Sequence, residues 1–216
     1  MTNHLDPHAN TPVLHAGAPL ALAPGAVVLL HGRGGSADEI LSLAPHLDHP
    51  ELAWLAPQAA QHTWYPNSFL APRASNEPYL TSALNKIEAV VASIEAAGIP
   101  RDRIVIAGFS QGACLTSEFA ATHPARYAGL IAFTGGLIGP PEADLHHPGS
   151  LAGTPALLLS GDPDPHVPWA RVAATATELE RMGAAVTTKR YPGRPHTVSE
   201  DEIVLARQLL DRAFPQ

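Results

Sequence analysis

Apolar residues fall along this chain in two patterns. In the first they form short unbroken runs, at 26–30, 52–56, 104–107, 130–133 and 156–159. Runs of four or five residues with no polar interruption are what a strand buried on both faces requires. In the second pattern they recur every three or four positions, as one face of a helix does. The helical spacing predicts helices over 37–47, 77–97, from Gln111 to about Thr122, over 170–182 and over 199–214. Start and stop signals frame them. Ser36 with Glu39 and Ser199 with Glu202 match capping boxes, while Gly98 and Gly183 stand where helices stop. The stretch 186–191 alternates, which predicts a strand nearer a sheet edge. Two short apolar pieces around Gly17-Ala18-Pro19, within 11–22, predict a small edge hairpin. Residues 1–10 read as a loose polar lead-in. Residues 57–75 form a long loop without periodicity that carries Trp64, Tyr65, Phe69 and Leu70.

Strands alternating with helices, with neither an internal repeat nor a linker, imply a single α/β domain over 1–216. Its sheet should be mostly parallel and covered by helices on both faces. Composition narrows the setting. The chain has 216 residues, 45% of them hydrophobic, enough for one sizeable core. A formal charge of −7 with 13 scattered basic residues argues against a nucleic-acid partner. No apolar run is long enough to insert in a membrane, and no signal-peptide segment opens the chain. The one cysteine, Cys114, excludes an internal disulfide, so a cytoplasmic location is expected.

In open parallel sheets the functional residues gather at the carboxyl ends of the strands. Three such ends carry chemistry here. The run 104–107 stops at Gly108-Phe109-Ser110-Gln111-Gly112, a Gly-x-Ser-x-Gly between an apolar strand and a helix. That context makes the pentapeptide a nucleophile elbow, where small flanking residues allow the tight turn. Gly161-Asp162-Pro163-Asp164-Pro165 follows the run 156–159, and Pro195-His196 follows the strand 186–191. Ser, then Asp, then His is the chain order of an α/β-hydrolase triad. A serine hydroxyl needs a neutral imidazole to take its proton, and the imidazole needs a carboxylate to fix its tautomer. Ser110 is therefore the candidate nucleophile and His196 the candidate base, with Asp164 or Asp162 as the carboxylate. For an oxyanion hole, one backbone N–H is expected from Gln111, directly after the serine. A second is expected from Arg33 in the loop His31-Gly32-Arg33-Gly34-Gly35. His31 fits a structural role beneath that loop. A phosphate-binding reading fails because no Lys follows the glycines in the required spacing.

Together, Leu29-Leu30-His31-Gly32, Gly108-Phe109-Ser110-Gln111-Gly112, Gly161-Asp162-x-Asp164-Pro165-x-Val167-Pro168 and Pro195-His196 resemble the phospholipase/carboxylesterase family of α/β-hydrolases, from about residue 26 onward. The resemblance implies an α/β-hydrolase fold and serine hydrolysis of an ester or thioester without cofactor, and the loop after Gly135-Gly136, which runs only to Gly153, is too short for a separate cap domain. It also implies Asp164 as the triad carboxylate and Gln111 as an oxyanion donor. Arg33 departs from the apolar residue that thioesterase members carry there, which points to a smaller or more polar ester.

Weaker features complete the expectations. Trp64, Tyr65, Phe69 and Leu137 are candidate pocket residues, and exposed Trp64 and Phe69 could support a homodimer. His146-His147 lacks the further ligands a zinc site needs. Small to medium carboxylic esters are the expected substrates of an open site. An acyl thioesterase or lysophospholipase is the alternative, and a non-catalytic receptor reusing the fold a remote one.

Overall fold

The computed structural model describes residues 6–215. Seven strands form one sheet in the order β1-β3-β2-β4-β5-β6-β7: β1 (Val13–Gly17), β2 (Ala26–Leu30), β3 (Ala53–Pro57), β4 (Ile104–Phe109), β5 (Gly129–Phe133), β6 (Pro155–Asp162) and β7 (Ala185–Pro192). All neighbours run parallel except β1, which lies antiparallel to β3. Six helices cover the sheet: α1 (Ala37–Leu41), α2 (Ala44–Leu47), α3 (Tyr79–Ala96), α4 (Gln111–Thr122), α5 (Trp169–Arg181) and α6 (Glu200–Ala213).

The unbroken runs are buried on both faces because successive side chains point opposite ways. Val28, Leu30, Ile104 and Ile106 join α3, α4 and α5 in one core layer. Val27, Leu29, Val105 and Ala107 join α1, α2 and α6 in the other. Both cap signals operate. Ser36 Oγ accepts from the Glu39 N–H at 3.1 Å, and the Glu202 carboxylate takes the Ser199 N–H at 2.7 Å.

Three expectations need correction. The edge element at 11–22 is one strand, not a hairpin, because β1 pairs with the distant β3 and the chain after Gly17 turns away. The helix expected over 37–47 is two helices meeting at Ser42 and Leu43, since Pro45 has no N–H for a continuous helix. Of the lead-in expected over 1–10, residues 1–5 lie outside the described residues, and the rest is not loose throughout. His8 is fully buried, and its ring is bonded to the loop that carries Trp64.

Candidate active site

Between the end of β4 and the start of α4, Ser110 occupies φ 54°, ψ −115°. A side-chain residue with positive φ is strained, and strain of this kind persists only where the surroundings enforce it. Here the Ser110 N–H donates to Phe133 O at 3.0 Å, and its carbonyl accepts from the Cys114 N–H at 3.0 Å. The flanking glycines are steric requirements. A Cβ on Gly108 would lie 2.5 Å from the Gly112 backbone, and one on Gly112 would lie 2.1 Å from Leu30 O.

The loops after β6 and β7 converge on this serine. Ser110 Oγ is 2.8 Å from His196 Nε2, and His196 Nδ1 is 2.8 Å from Asp164 Oδ2. Asp164 Oδ1 accepts the backbone N–H groups of His166 and Val167, both at 2.9 Å. Burial alone would raise the Asp164 carboxyl. The two backbone donors and the imidazole outweigh it and hold the group below the usual carboxylate range. An ionised carboxylate accepts only, so it fixes the proton on Nδ1 and turns the Nε2 lone pair toward Ser110. Asp162, the rival carboxylate, is paired instead with Arg190 of β7. Phe109 backs the imidazole with ring centroids 5.0 Å apart, and His166 meets it edge-on at 4.9 Å.

On the other side of Ser110 lies the loop after β2. A Cβ on Gly32 would come within 3.4 Å of Ser110 Cβ, so this backbone runs against the elbow. Among the described residues, the N–H groups of Arg33 and Gln111 have no backbone acceptor outside regular helix and strand bonding. Beneath the loop, His31 Nε2 accepts the Ala59 N–H at 3.1 Å, so its Nδ1–H donates to Gly32 O at 2.7 Å. His8 repeats the arrangement: Nδ1 accepts from Ala60 N–H and Nε2 donates to Trp64 O, each at 2.9 Å. Desolvation leads in lowering both imidazoles below their ordinary value, in keeping with neutral rings. The Gln111 amide, whose importance the spacing does not signal, joins the two halves. Its Oε1 takes the Trp64 N–H at 2.8 Å and its Nε2 donates to Tyr65 O at 2.9 Å.

A cleft of about 480 Å³ opens at Ser110, lined by Tyr65, Phe69, Cys114, Arg33, Asn67 and His166 among others. Tyr65 and Phe69 thus stand where a pocket role was expected. Trp64 and Leu137 do not line it and are fully buried. Trp64 instead lies under the His31 loop and donates Nε1–H to His31 O at 2.9 Å. Because Trp64 is 0% and Phe69 6% exposed, the apolar surface expected to meet a second copy is absent. Cys114 forms part of the cleft wall, and burial pushes its thiol up to about 12, which makes it an inert apolar surface. Between β5 and β6 the chain forms no helix or strand that could cover the mouth. Arg194 is a further residue that sequence spacing passes over. Its guanidinium reaches Thr134 Oγ1 at 2.8 Å and the Thr197 carbonyl, and it lies 3.2 Å from the buried Glu202 carboxylate.

A hydroxyl, an imidazole and a carboxylate in one hydrogen-bonded line, beside two unused backbone donors, is the geometry that nucleophilic acyl transfer requires. Known proteins bear on this arrangement. Residues 18–213 match the family model described as Phospholipase/Carboxylesterase. A crystal structure of a phospholipase/carboxylesterase from Dyadobacter fermentans DSM 18053 is 49% identical, with a TM-score of 0.90 over 97% of this chain and 99% of that one. NocK of Nocardia uniformis subsp. tsuyamanensis, whose name places it among esterases, is 30% identical over 210 residues, 94% of this chain and 54% of its own. Acyl-protein thioesterase 1 of Neurospora crassa is 34% identical over 121 residues, 55% of this chain and 49% of its own. The chain thus spans about half the length of these two curated relatives. No helix among the described residues is long and apolar enough to cross a membrane.

Proposed function

Because the chain belongs to the phospholipase/carboxylesterase family, we propose that it is a serine carboxylesterase acting on small to medium carboxylic esters. The observation that carries the reading is the line from Ser110 Oγ through His196 to Asp164, with both links at 2.8 Å. Ser110 Oγ attacks the acyl carbon while His196 Nε2 takes its proton. The carbonyl oxygen becomes negative and is held by the backbone N–H groups of Gln111 and Arg33. His196 then gives its proton to the departing alcohol, leaving the acyl group on Ser110. Water, deprotonated by the same imidazole, attacks that acyl group; as the bond to Ser110 Oγ breaks, His196 returns the proton to that oxygen and the acid leaves. Asp164 keeps the imidazole in the productive tautomer and stabilises its cationic form. No step calls for a cofactor.

The uncovered mouth favours soluble esters over long acyl chains, and a single buried cysteine suits a reducing, cytoplasmic setting. A thioesterase activity is the second reading, favoured by the thioesterase relative from Neurospora crassa. Rates on matched acyl thioesters and oxygen esters separate the two. For the common mechanism, Ser110→Ala should lower kcat by roughly 10⁴-fold or more and abolish labelling by a fluorophosphonate, with the fold kept. Turnover at the wild-type rate in that variant would overturn the reading.

A further inference from the structure

The lining of the cleft is electrostatically one-sided. Among the described residues it contains one permanent cation, Arg33, and no carboxylate. Asp164 lies behind His196 with its side chain 0% exposed. One acid, Glu39, lines the adjoining cleft on the far side of the His31 loop. In a chain of formal charge −7, a positive cleft runs against the overall charge.

Arg33 is held differently from many of the other arginines; Arg103 and Arg171 also bond to pairs of carbonyls, but among the described residues Arg33 is the arginine that lines the cleft at Ser110. Arg73, Arg101, Arg181, Arg190 and Arg194 each face a carboxylate. Arg33 faces two carbonyls, donating Nη1–H to Pro66 O at 2.8 Å and Nη2–H to Asn67 O at 2.7 Å. Its guanidinium also sits 6.0 Å from the centroid of the Tyr65 ring. Carbonyls orient a guanidinium without cancelling its charge. Of its five N–H donors two are engaged there, leaving Nε–H and one hydrogen on each terminal nitrogen. The result is an oriented and uncompensated cation at the rim of the cleft. A planar guanidinium with free donors suits a carboxylate, which it can bind through two parallel hydrogen bonds.

We propose that the substrate is an ester carrying a carboxylate, and that the Arg33 side chain binds that carboxylate while its backbone N–H serves the oxyanion. This rests on the serine-esterase reading and adds the substrate class to it. The Arg33 side chain is then a specificity determinant, separate from the loop-holding role its two carbonyl bonds also give it. Arg33 lines both clefts, so the carboxylate belongs to the acyl part or the alcohol part of the ester.

Three stable esters of matched length decide the matter. Ethyl pentanoate is neutral, monoethyl pentanedioate carries the charge on the acyl end, and the pentanoyl ester of glycolic acid carries it on the alcohol end. The quantity read is kcat/KM for each charged ester divided by that for ethyl pentanoate, in wild type, Arg33→Met and Arg33→Lys. In wild type at low salt, one charged ester should give a ratio about tenfold above that of Arg33→Met. Arg33→Lys should fall between them, and about 0.5 M sodium chloride should shrink the wild-type ratio, since exposed charges are screened. The ester that responds identifies the side of the carboxylate. Arg33→Met lowering all three esters by the same factor would mean that Arg33 only holds the loop, and would overturn the proposal. Hydrolysis of ethyl pentanoate without charge preference would sink the substrate class and leave the esterase reading standing. Absence of turnover on every ester, with Ser110 unlabelled by a fluorophosphonate, would sink both.

Discussion

The two sides of Ser110 are built from different interactions. Beneath the exposed Arg33 guanidinium, the His31–Gly35 side is held by neutral groups: two uncharged imidazoles, an indole, the Gln111 amide and backbone carbonyls, most of them buried. The side carrying Asp164 and His196 is held by charges: Asp164 with His196, Arg194 with Glu202, Asp162 with Arg190 and Lys189 with Asp201. The division fits the proposed roles. Backbone donors meant to meet a developing negative charge must be oriented in advance, and a buried scaffold of neutral groups does this, with the Arg33 guanidinium at its exposed rim. A base that becomes cationic during the reaction needs a fixed negative partner, so its side of the site cannot be neutral. The two sides should therefore fail under different perturbations.

The largest effect is expected from removing the charge behind His196. Asp164→Asn still offers an oxygen to the His166 and Val167 N–H groups, but its amide favours the tautomer with the proton on Nε2, facing Ser110. Loss of kcat on an aryl ester by roughly 10⁴-fold, with the thermal midpoint little changed, is the expected result. A loss under tenfold would show that the charged side is not what orients the base.

Next comes the ion pair beneath the His196 loop. Arg194→Met leaves the fully buried Glu202 carboxylate without its cation. Breaking a buried pair in this way costs about 3 kcal/mol, read as a lower urea midpoint at neutral pH, and Arg194→Lys should recover part of it. If Arg194→Met unfolds no more easily than wild type, the contrast between the two sides loses its energetic basis.

The smallest effect tests the neutral side. Burial lowers the His8 and His31 imidazoles below the ordinary 6.5, so the folded protein binds fewer protons there than the unfolded chain. Their contribution is fully present above about pH 6.5. It is lost as the pH falls further, by up to about 1.4 kcal/mol per pH unit for each histidine, until the folded-state value is reached. Urea midpoints followed downward from about pH 7.5 should therefore decline, and His31→Gln should flatten the decline by one histidine's share. An unchanged slope in that variant would mean that His31 is not held neutral.

Much of this architecture was legible in the chain. Strands β2, β4, β5 and β6 could be read because burial on both faces leaves an unbroken apolar run. Ser110, Asp164 and His196 could be read because each ends a strand or follows one closely. What escaped depended on contacts distant in sequence. The partner of β1 is β3, about forty residues away, and nothing near Gly17 reveals it. Trp64 lies in an aperiodic loop, where no spacing separates a pocket wall from a buried prop. Glu202 was visible as half of a capping box, but its second role arises only when Arg194 folds over it. The break between α1 and α2 was different: Pro45 announces it, and the helical periodicity masked that signal.

The outer position of β7 has a consequence for how this molecule keeps to itself. Among the described residues one flank of that strand has no neighbour, and unpaired backbone there is a template on which another chain can add. Lys189 and Arg190 give this edge strand charged side chains, paired with Asp201 and Asp162, and Pro192 ends it with a residue that has no N–H to offer. These features discourage edge-to-edge aggregation. The same short segment leads directly into the loop that delivers His196. Replacing its charged residues with apolar β-formers would therefore invite fibrous self-association while disturbing the loop that carries the proposed base.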